Sequence, residues 1–276
     1  MDKGKKTKRL FFGFHLDAPW PLQLPKGRII ASHFRHMTLA FLGEMPFDQI
    51  EPLFAQFPKP TFSIGPTGIF DRVIFLPKHF ARVVAWHMQW MEDAEVMESF
   101  QKTLALWLHE KNLLPPGKER PFLPHATICR KPFSRSVWAR HFSSIPFMVT
   151  GFHLYESLGD LQYSSLWEYP LLLPFEEIPH TADLAFKIRG KDFSDLYLHA
   201  QIALLFTFPK LTPTICKKEP FSSLEEVIAR LNKWISYVDQ TMGSPIKAIS
   251  YHGDAILCTD SVRAHTFLEW EMIVDV

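Results

Sequence analysis

Two short strings, 89 residues apart, repeat one pattern inside stretches that alternate like β-strands: His36-Met-Thr38-Leu-Ala-Phe-Leu42 and His125-Ala-Thr127-Ile-Cys-Arg130. In a strand, residues i and i+2 point to one face. Each string therefore presents an imidazole beside a hydroxyl, while Met37, Leu39 and Phe41, or Ala126 and Ile128, turn toward a core. With 13 histidines in 276 residues, one His-x-Thr triplet has little weight. The pair gains weight because each copy belongs to a comparable strand-plus-helix half. Such a repeat points to an α+β architecture with one string in each of two comparable strand-and-helix halves.

The surrounding sequence fits that constraint. Residues 10–16 alternate Leu10, Phe12, Phe14, Leu16 against Phe11, Gly13, His15, which reads as a strand. Helical spacing is expected at 48–57 and at 92–112, where Met97, Phe100, Leu104, Trp107 and Leu108 face a core and Pro115-Pro116-Gly117 closes the helix. Strands are expected at 68–76, 82–86, 125–130 and 147–155. Beyond 174, a strand is expected at 183–189, followed by a Ser194-capped helix reaching 206. A capping box at Ser223-Leu-Glu-Glu226 opens a further helix, and an alternating strand ends on Asp275 and Val276.

Hydrophobic residues make up 47%, with 25 Phe and 8 Trp, which is enough for a bulky core and excludes a disordered or collagenous chain. Three scattered cysteines exclude a disulfide framework. No apolar run approaches the roughly 18 residues of a membrane span. The basic stretch Lys3 to Arg9 leads into a strand rather than a signal peptide, so a reducing cytoplasm is the expected compartment and no membrane the expected partner.

The formal net charge of +1 hides an asymmetry. Residues 1–173 hold 20 Lys and Arg against 15 Asp and Glu, and 9 of the 13 histidines; residues 174–276 hold 10 against 14. Opposite signs point to two units with different partners, the basic one suited to a polyanion. The apolar junction Tyr169-Pro-Leu-Leu-Leu-Pro-Phe175 is the expected boundary, a tight one, giving units 1–173 and 174–276.

Two histidines and two hydroxyls suit displacement at a phosphodiester. One imidazole takes a proton from water while the other protonates the leaving oxygen. The Thr38 and Thr127 hydroxyls donate to non-bridging oxygens. No metal is needed for this.

Arg9-Leu-Phe-Phe-Gly-Phe14, His36-Met-Thr-Leu-Ala-Phe-Leu-Gly43, Phe122-Leu-Pro-His-Ala-Thr-Ile-Cys-Arg130 and Leu154-Tyr-Glu-Ser157 together resemble the 2H phosphoesterases, in particular LigT-like RNA 2′,3′-cyclic phosphodiesterases, over residues 9–172. The resemblance implies a bilobal fold with a pseudo-twofold axis and the His-x-Thr pairs facing across a cleft. It implies hydrolysis of terminal 2′,3′-cyclic phosphates to 2′-phosphates, or the reverse 2′–5′ ligation, without a cofactor. His36 would be the acid for the 3′-oxygen, His125 the base for water, and Thr38, Thr127 and Arg130 the phosphate-binding residues. Strand alternation places Arg130 opposite His125, and Phe41 in the core rather than under a base.

Phe175-Glu-Glu-Ile-Pro-His180-Thr-Ala-Asp183, Ile246-Lys-Ala-Ile-Ser-Tyr-His-Gly253 and Trp270-Glu-Met-Ile-Val-Asp-Val276 resemble archease, an assistant of the GTP-dependent tRNA-splicing ligase, over residues 174–276. That implies a divalent cation, Ca²⁺ or Mg²⁺, on Asp183, Asp275 and the Val276 carboxylate, with His180 and His252 orienting or packing. It also implies RNA ends, tRNA fragments among them, and an RNA ligase as partners. Residues 206–221 are shorter than the archease pattern. Two rival readings stand beside this one: a non-catalytic RNA-binding accessory of a ligase, and metal-dependent hydrolysis by Asp183 and Asp275.

Overall fold

The computed structural model describes residues 6–92, 94–114, 122–180, 184–250, 253–260 and 265–276. The first sheet is built from β1 (Thr7–Asp17), β2 (Arg28–Ile29), β3 (His36–Pro46), β4 (Thr67–Leu76), β5 (Val83–Trp90), β6 (His125–Arg130), β7 (Ile145–Gly159) and β8 (Gln162–Pro170). Its pairings run β1-β3-β6-β5-β4-β7, and β7 pairs back to β1. Six antiparallel strands thus close on themselves, with β2 beside β6 and β8 beside β7. The two expected halves are joined in one closed loop of pairings. Its halves are related by a local twofold that exchanges β3 with β6, β1 with β5 and β7 with β4.

Helix α1 (Ala94–Glu110) covers β1 and β7, burying Met97, Phe100, Leu104, Trp107 and Leu108. The Phe100 ring lies 5.8 Å from Phe14, and that of Trp107 lies 6.4 Å from Phe12. Leu10, Phe12, Phe14 and Leu16 of β1 are buried because that face meets the helix. Helix α2 (Arg135–His141) covers the other half through Trp138, whose indole N–H donates to the Lys26 carbonyl at 3.3 Å.

The helix expected at 48–57 is instead two 3-10 turns, Phe47–Gln49 and Glu51–Gln56. Pro46, Pro52 and Pro58 remove three backbone donors in this stretch, and too few residues remain between them to offset the cost of α-helix nucleation. Strand β8 has no counterpart among the expected elements. It returns from β7 through Asp160 and Leu161, both at positive φ, the geometry of a tight hairpin turn.

The second sheet contains β9 (Phe175–Ile178), β10 (Leu184–Gly190), β11 (Ala248–Ser250), β12 (Ile256–Asp260) and β13 (His265–Asp275). Its order is β11-β13-β10-β9, with β12 also on β13. Helix α3 (Phe193–Thr207) is buried on nearly every side, packed against its own sheet and against β7 and β4 of the first. Its N-cap is Asp192, which accepts from the Asp195 N–H at 2.8 Å, rather than Ser194. Helix α4 (Leu224–Met242) starts as expected on Ser223, although the Glu226 carboxylate accepts from the N–H and hydroxyl of Ser222.

The two sheets share a buried polar joint. Glu92 accepts from the Thr67 N–H and hydroxyl and from His199 Nε2 at 3.1 Å, while His199 Nδ1 donates to the Arg189 carbonyl at 2.5 Å. Both ring nitrogens of His199 face acceptors, an arrangement that favours the doubly protonated ring. Glu92 and Asp195 raise its pKa against the cost of burial. Among the described residues, no helix is long and apolar enough to cross a membrane.

Candidate active site

Strands β3 and β6 meet at one register pair, Met37 opposite Ala126. These are the middle residues of the two His-x-Thr strings, and both are fully buried. Cross-strand partners share a face, so His36, Thr38, His125 and Thr127 all project from the opposite face. The local twofold passes through this pair and repeats one strand outward. His15 on β1 is the register partner of His36, and His87 on β5 is the partner of His125.

The two imidazoles are oriented in the same way. His36 Nδ1 donates to the Phe34 carbonyl and His125 Nδ1 donates to the Leu123 carbonyl, each at 2.7 Å and each two residues back. A neutral ring with its proton fixed on Nδ1 presents a free Nε2 lone pair. Burial pushes the His36 pKa down to about 4, opposed by the Phe34 carbonyl and reinforced by His15, His125 and Arg130. His36 sits among Phe11 at 4.8 Å, Tyr155 at 5.3 Å and the edge of Tyr163 at 4.8 Å. Burial also lowers the His125 pKa, with the Leu123 carbonyl acting against it and His87 adding to it. Both rings are therefore neutral near pH 7 when no anion is present.

Two expectations about side-chain direction need correction, for one physical reason. In β3, Phe12 pairs with Ala40 but Gly13 with Thr38, so Leu39 is an extra residue; Leu42 is another, between Phe41 and Gly43. A bulge shifts the alternation by one. Phe41 consequently pairs with Phe11, on the face that carries His15 and His36, and is 64% exposed instead of lying in the core. Gly13 is needed at this bulge, since a Cβ there would lie 2.7 Å from the Met37 carbonyl oxygen. In β6, Ile128 is the extra residue between the Ala85–Thr127 and Val84–Cys129 pairs. Arg130 then pairs with Val83, on the same face as Ala85 and Thr127, so it lies on the histidine face and not opposite it. Phe41 and Arg130 hold equivalent places, each five residues after its histidine and each redirected by a bulge.

Comparison with known proteins gives a likeness of shape. No protein-family model matches the chain, and no curated protein matches it. Similar solved structures include E. coli LigT complexed with 3′-AMP, at 24% identity over 60% of this chain and 99% of that one, with a TM-score of 0.43. E. coli LigT in apo form has 24% identity, the same coverage and a TM-score of 0.44. TT0787 of Thermus thermophilus has 19% identity over 59% of this chain and 97% of that one, with a TM-score of 0.42.

Three further histidines surround the pair and were missed from sequence. His15 hydrogen-bonds Thr150 at 2.8 Å, His153 hydrogen-bonds Ser165 at 2.8 Å, and His87 hydrogen-bonds Asp71 at 2.6 Å. Burial pushes the His153 pKa down to about 4, with His15 contributing. Strand parity holds the signal for His15, which shares the odd-numbered face of β1 with Phe11.

Of the expected metal ligands, Asp275 and Val276 are among the described residues. Asp183 and His252 lie outside the described residues. Leu184 and Val274 are register partners, so the chain after the one aspartate runs beside the chain before the other. However, Lys247 Nζ sits 3.6 Å from Asp275 and donates to a Val276 oxygen at 2.8 Å. Among the described residues, no group of three His, Cys, Asp or Glu side chains converges.

Proposed function

We propose that the first sheet carries a metal-free phosphodiesterase that opens 2′,3′-cyclic phosphates at RNA 3′ ends to 2′-phosphates. The observation that carries this reading is the Met37–Ala126 pair, which sets two matched imidazoles and two hydroxyls on one face about a local twofold. In the proposed reaction His125 Nε2 takes a proton from water, whose oxygen bonds to phosphorus. The bond from phosphorus to the 3′-oxygen breaks, and that oxygen receives a proton from His36 Nε2. The Thr38 and Thr127 hydroxyls and the Arg130 guanidinium hold the non-bridging oxygens. The proton on His36 is stabilised only once the anionic phosphate offsets the desolvation of the ring. With a 5′-hydroxyl in place of water as the attacking group, the same steps would join 2′–5′ ends.

The test is incubation of the chain, in excess EDTA, with a short RNA ending in 2′,3′-cyclic phosphate, beside His36→Ala and His125→Ala. A 2′-phosphate product that needs both histidines supports the reading; an inactive wild-type chain sinks it and favours a non-catalytic RNA-binding role. For the second sheet we propose an archease-like accessory of an RNA ligase. Repeated pulldowns without a ligase would count against that role.

A further inference from the structure

The surface beyond Arg130 has a composition that the reaction itself does not require. Between Asp17 and Glu44, between Asp71 and Glu92, and between Glu119 and Glu156, the sequence holds no acidic residue. These three segments supply β2, β5, β6 and α2, together with the loop after β4. At one end of the sheet they gather their bases. Arg28 and Arg130 are register partners, the Lys131 N–H donates to the Arg82 carbonyl at 3.1 Å, and Arg135 reaches the Lys78 carbonyl at 3.5 Å. All six bases are exposed. The described partner carboxylate among them is Asp160, 3.7 Å from Arg28 and itself 98% exposed. Aromatic surface is interleaved: Arg135 lies 4.8 Å over the Phe75 ring, and Phe80 is 78% exposed beside Lys78.

Cations beside aromatic rings are the makeup of single-stranded nucleic-acid surfaces, where the cations track phosphates and the rings stack bases; here Phe80 is the exposed ring and Phe75 the half-buried one. The local twofold adds a direction. Of two equivalent positions flanking the histidines, one is Phe41, in an aromatic neighbourhood, and the other is Arg130, which opens onto the basic end. From His125 to Arg130 the partner strand advances only from His87 to Val83, about 13 Å at roughly 3.3 Å per residue, so the bases past Arg130 serve phosphates other than the scissile one.

We propose that Arg28, Arg82, Lys78, Lys131 and Arg135, with Phe80, form the track for the RNA chain 5′ to its terminal cyclic phosphate. The terminal base lies toward Phe41 and the body of the RNA leaves over Arg130. The inference rests on the reading of this site as one that acts on RNA ends. It makes the substrate a polymer, and capture strongly salt-dependent.

The experiment compares wild type with a Lys78→Gln, Arg82→Gln, Arg135→Gln triple variant. The substrates are a dinucleotide and an RNA of about a dozen nucleotides, both ending in 2′,3′-cyclic phosphate. Dinucleotide turnover should be equal in the two proteins, which also reports that the variant folds. For the long RNA, the variant's KM should rise. Each single-strand phosphate contact contributes about −0.7 to the slope of log affinity against log salt, so three lost contacts flatten the slope by about 2. A fourfold rise in salt should then weaken wild-type capture about 16-fold more than capture by the variant. Equal KM and equal slopes on the long RNA overturn the track. If neither protein cleaves the dinucleotide, the enzymatic reading fails; the track is still judged by fluorescence anisotropy with a 3′-phosphate RNA, where the same slope difference is expected. Capture of poly-glutamate at this surface with no slope difference on RNA would also overturn it.

Discussion

Replacing His36 by Gln should remove most of a specific acid sensitivity from folding. In the native chain the His36 pKa is pushed down to about 4, against an ordinary value of 6.5. As pH falls, the unfolded chain takes up this proton near 6.5 while the folded chain refuses it until about 4. The stability tied to the neutral buried ring is therefore whole above about pH 6.5, is lost progressively below it and stops changing below about 4. At pH 5 the mismatch spans about 1.5 units, and at 1.36 kcal/mol per unit that is about 2 kcal/mol. For a chain of this size it corresponds to about 4–8 °C in Tm. Melting curves of wild type and His36→Gln at pH 7.5 and pH 5 give the comparison, since every other titrating group is common to both. The variant should lose about 2 kcal/mol less than wild type over that interval. Equal losses would refute the argument that desolvation, rather than the Phe34 carbonyl, governs this ring.

A substrate with a 4-nitrophenyl leaving group needs no acid, so the acid's variant should retain most of its activity on it while the base's variant loses about 10²–10⁴-fold. If His125→Ala is the variant that survives, the two histidines exchange roles. Phe41→Ala should raise KM about tenfold or more on mononucleotide and long substrates alike, from the roughly 1–3 kcal/mol lost with one stacked base. Thermal stability should be unchanged, because the ring is exposed. Glu92→Gln removes the counter-charge of the buried His199 and should cost about 3 kcal/mol in a denaturant titration. The cost should be greatest below pH 6.5 and shrink as pH rises through the raised pKa of His199.

Much of this site was legible because strand periodicity is legible. His36, Thr38, His125 and Thr127 announced a shared face before any pairing was known, and the register through Met37 and Ala126 supplies it. Helices α1 and α4 were legible for the same reason at helical spacing. The bulges at Leu39 and Ile128 were not, because an extra residue in one strand shows only against its partner strand. That single blindness misplaced both Phe41 and Arg130. His87 is likewise a matter of partnership: its role beside His125 and Asp71 depends on strands that are distant in sequence.

The joint between the two sheets has a mechanical consequence. Going round the six-stranded loop, the β4–β7 seam lies diametrically across from the seam that holds the two histidines. Thr67, the first residue of β4, pairs with Met148 of β7 and is gripped by Glu92, which is in turn gripped by His199 of helix α3. Helix α3 thus holds the loop at the seam farthest from the two imidazoles. The strands that carry the two imidazoles are themselves directly paired, so a strain applied at the far seam reaches them only through β1 and β5.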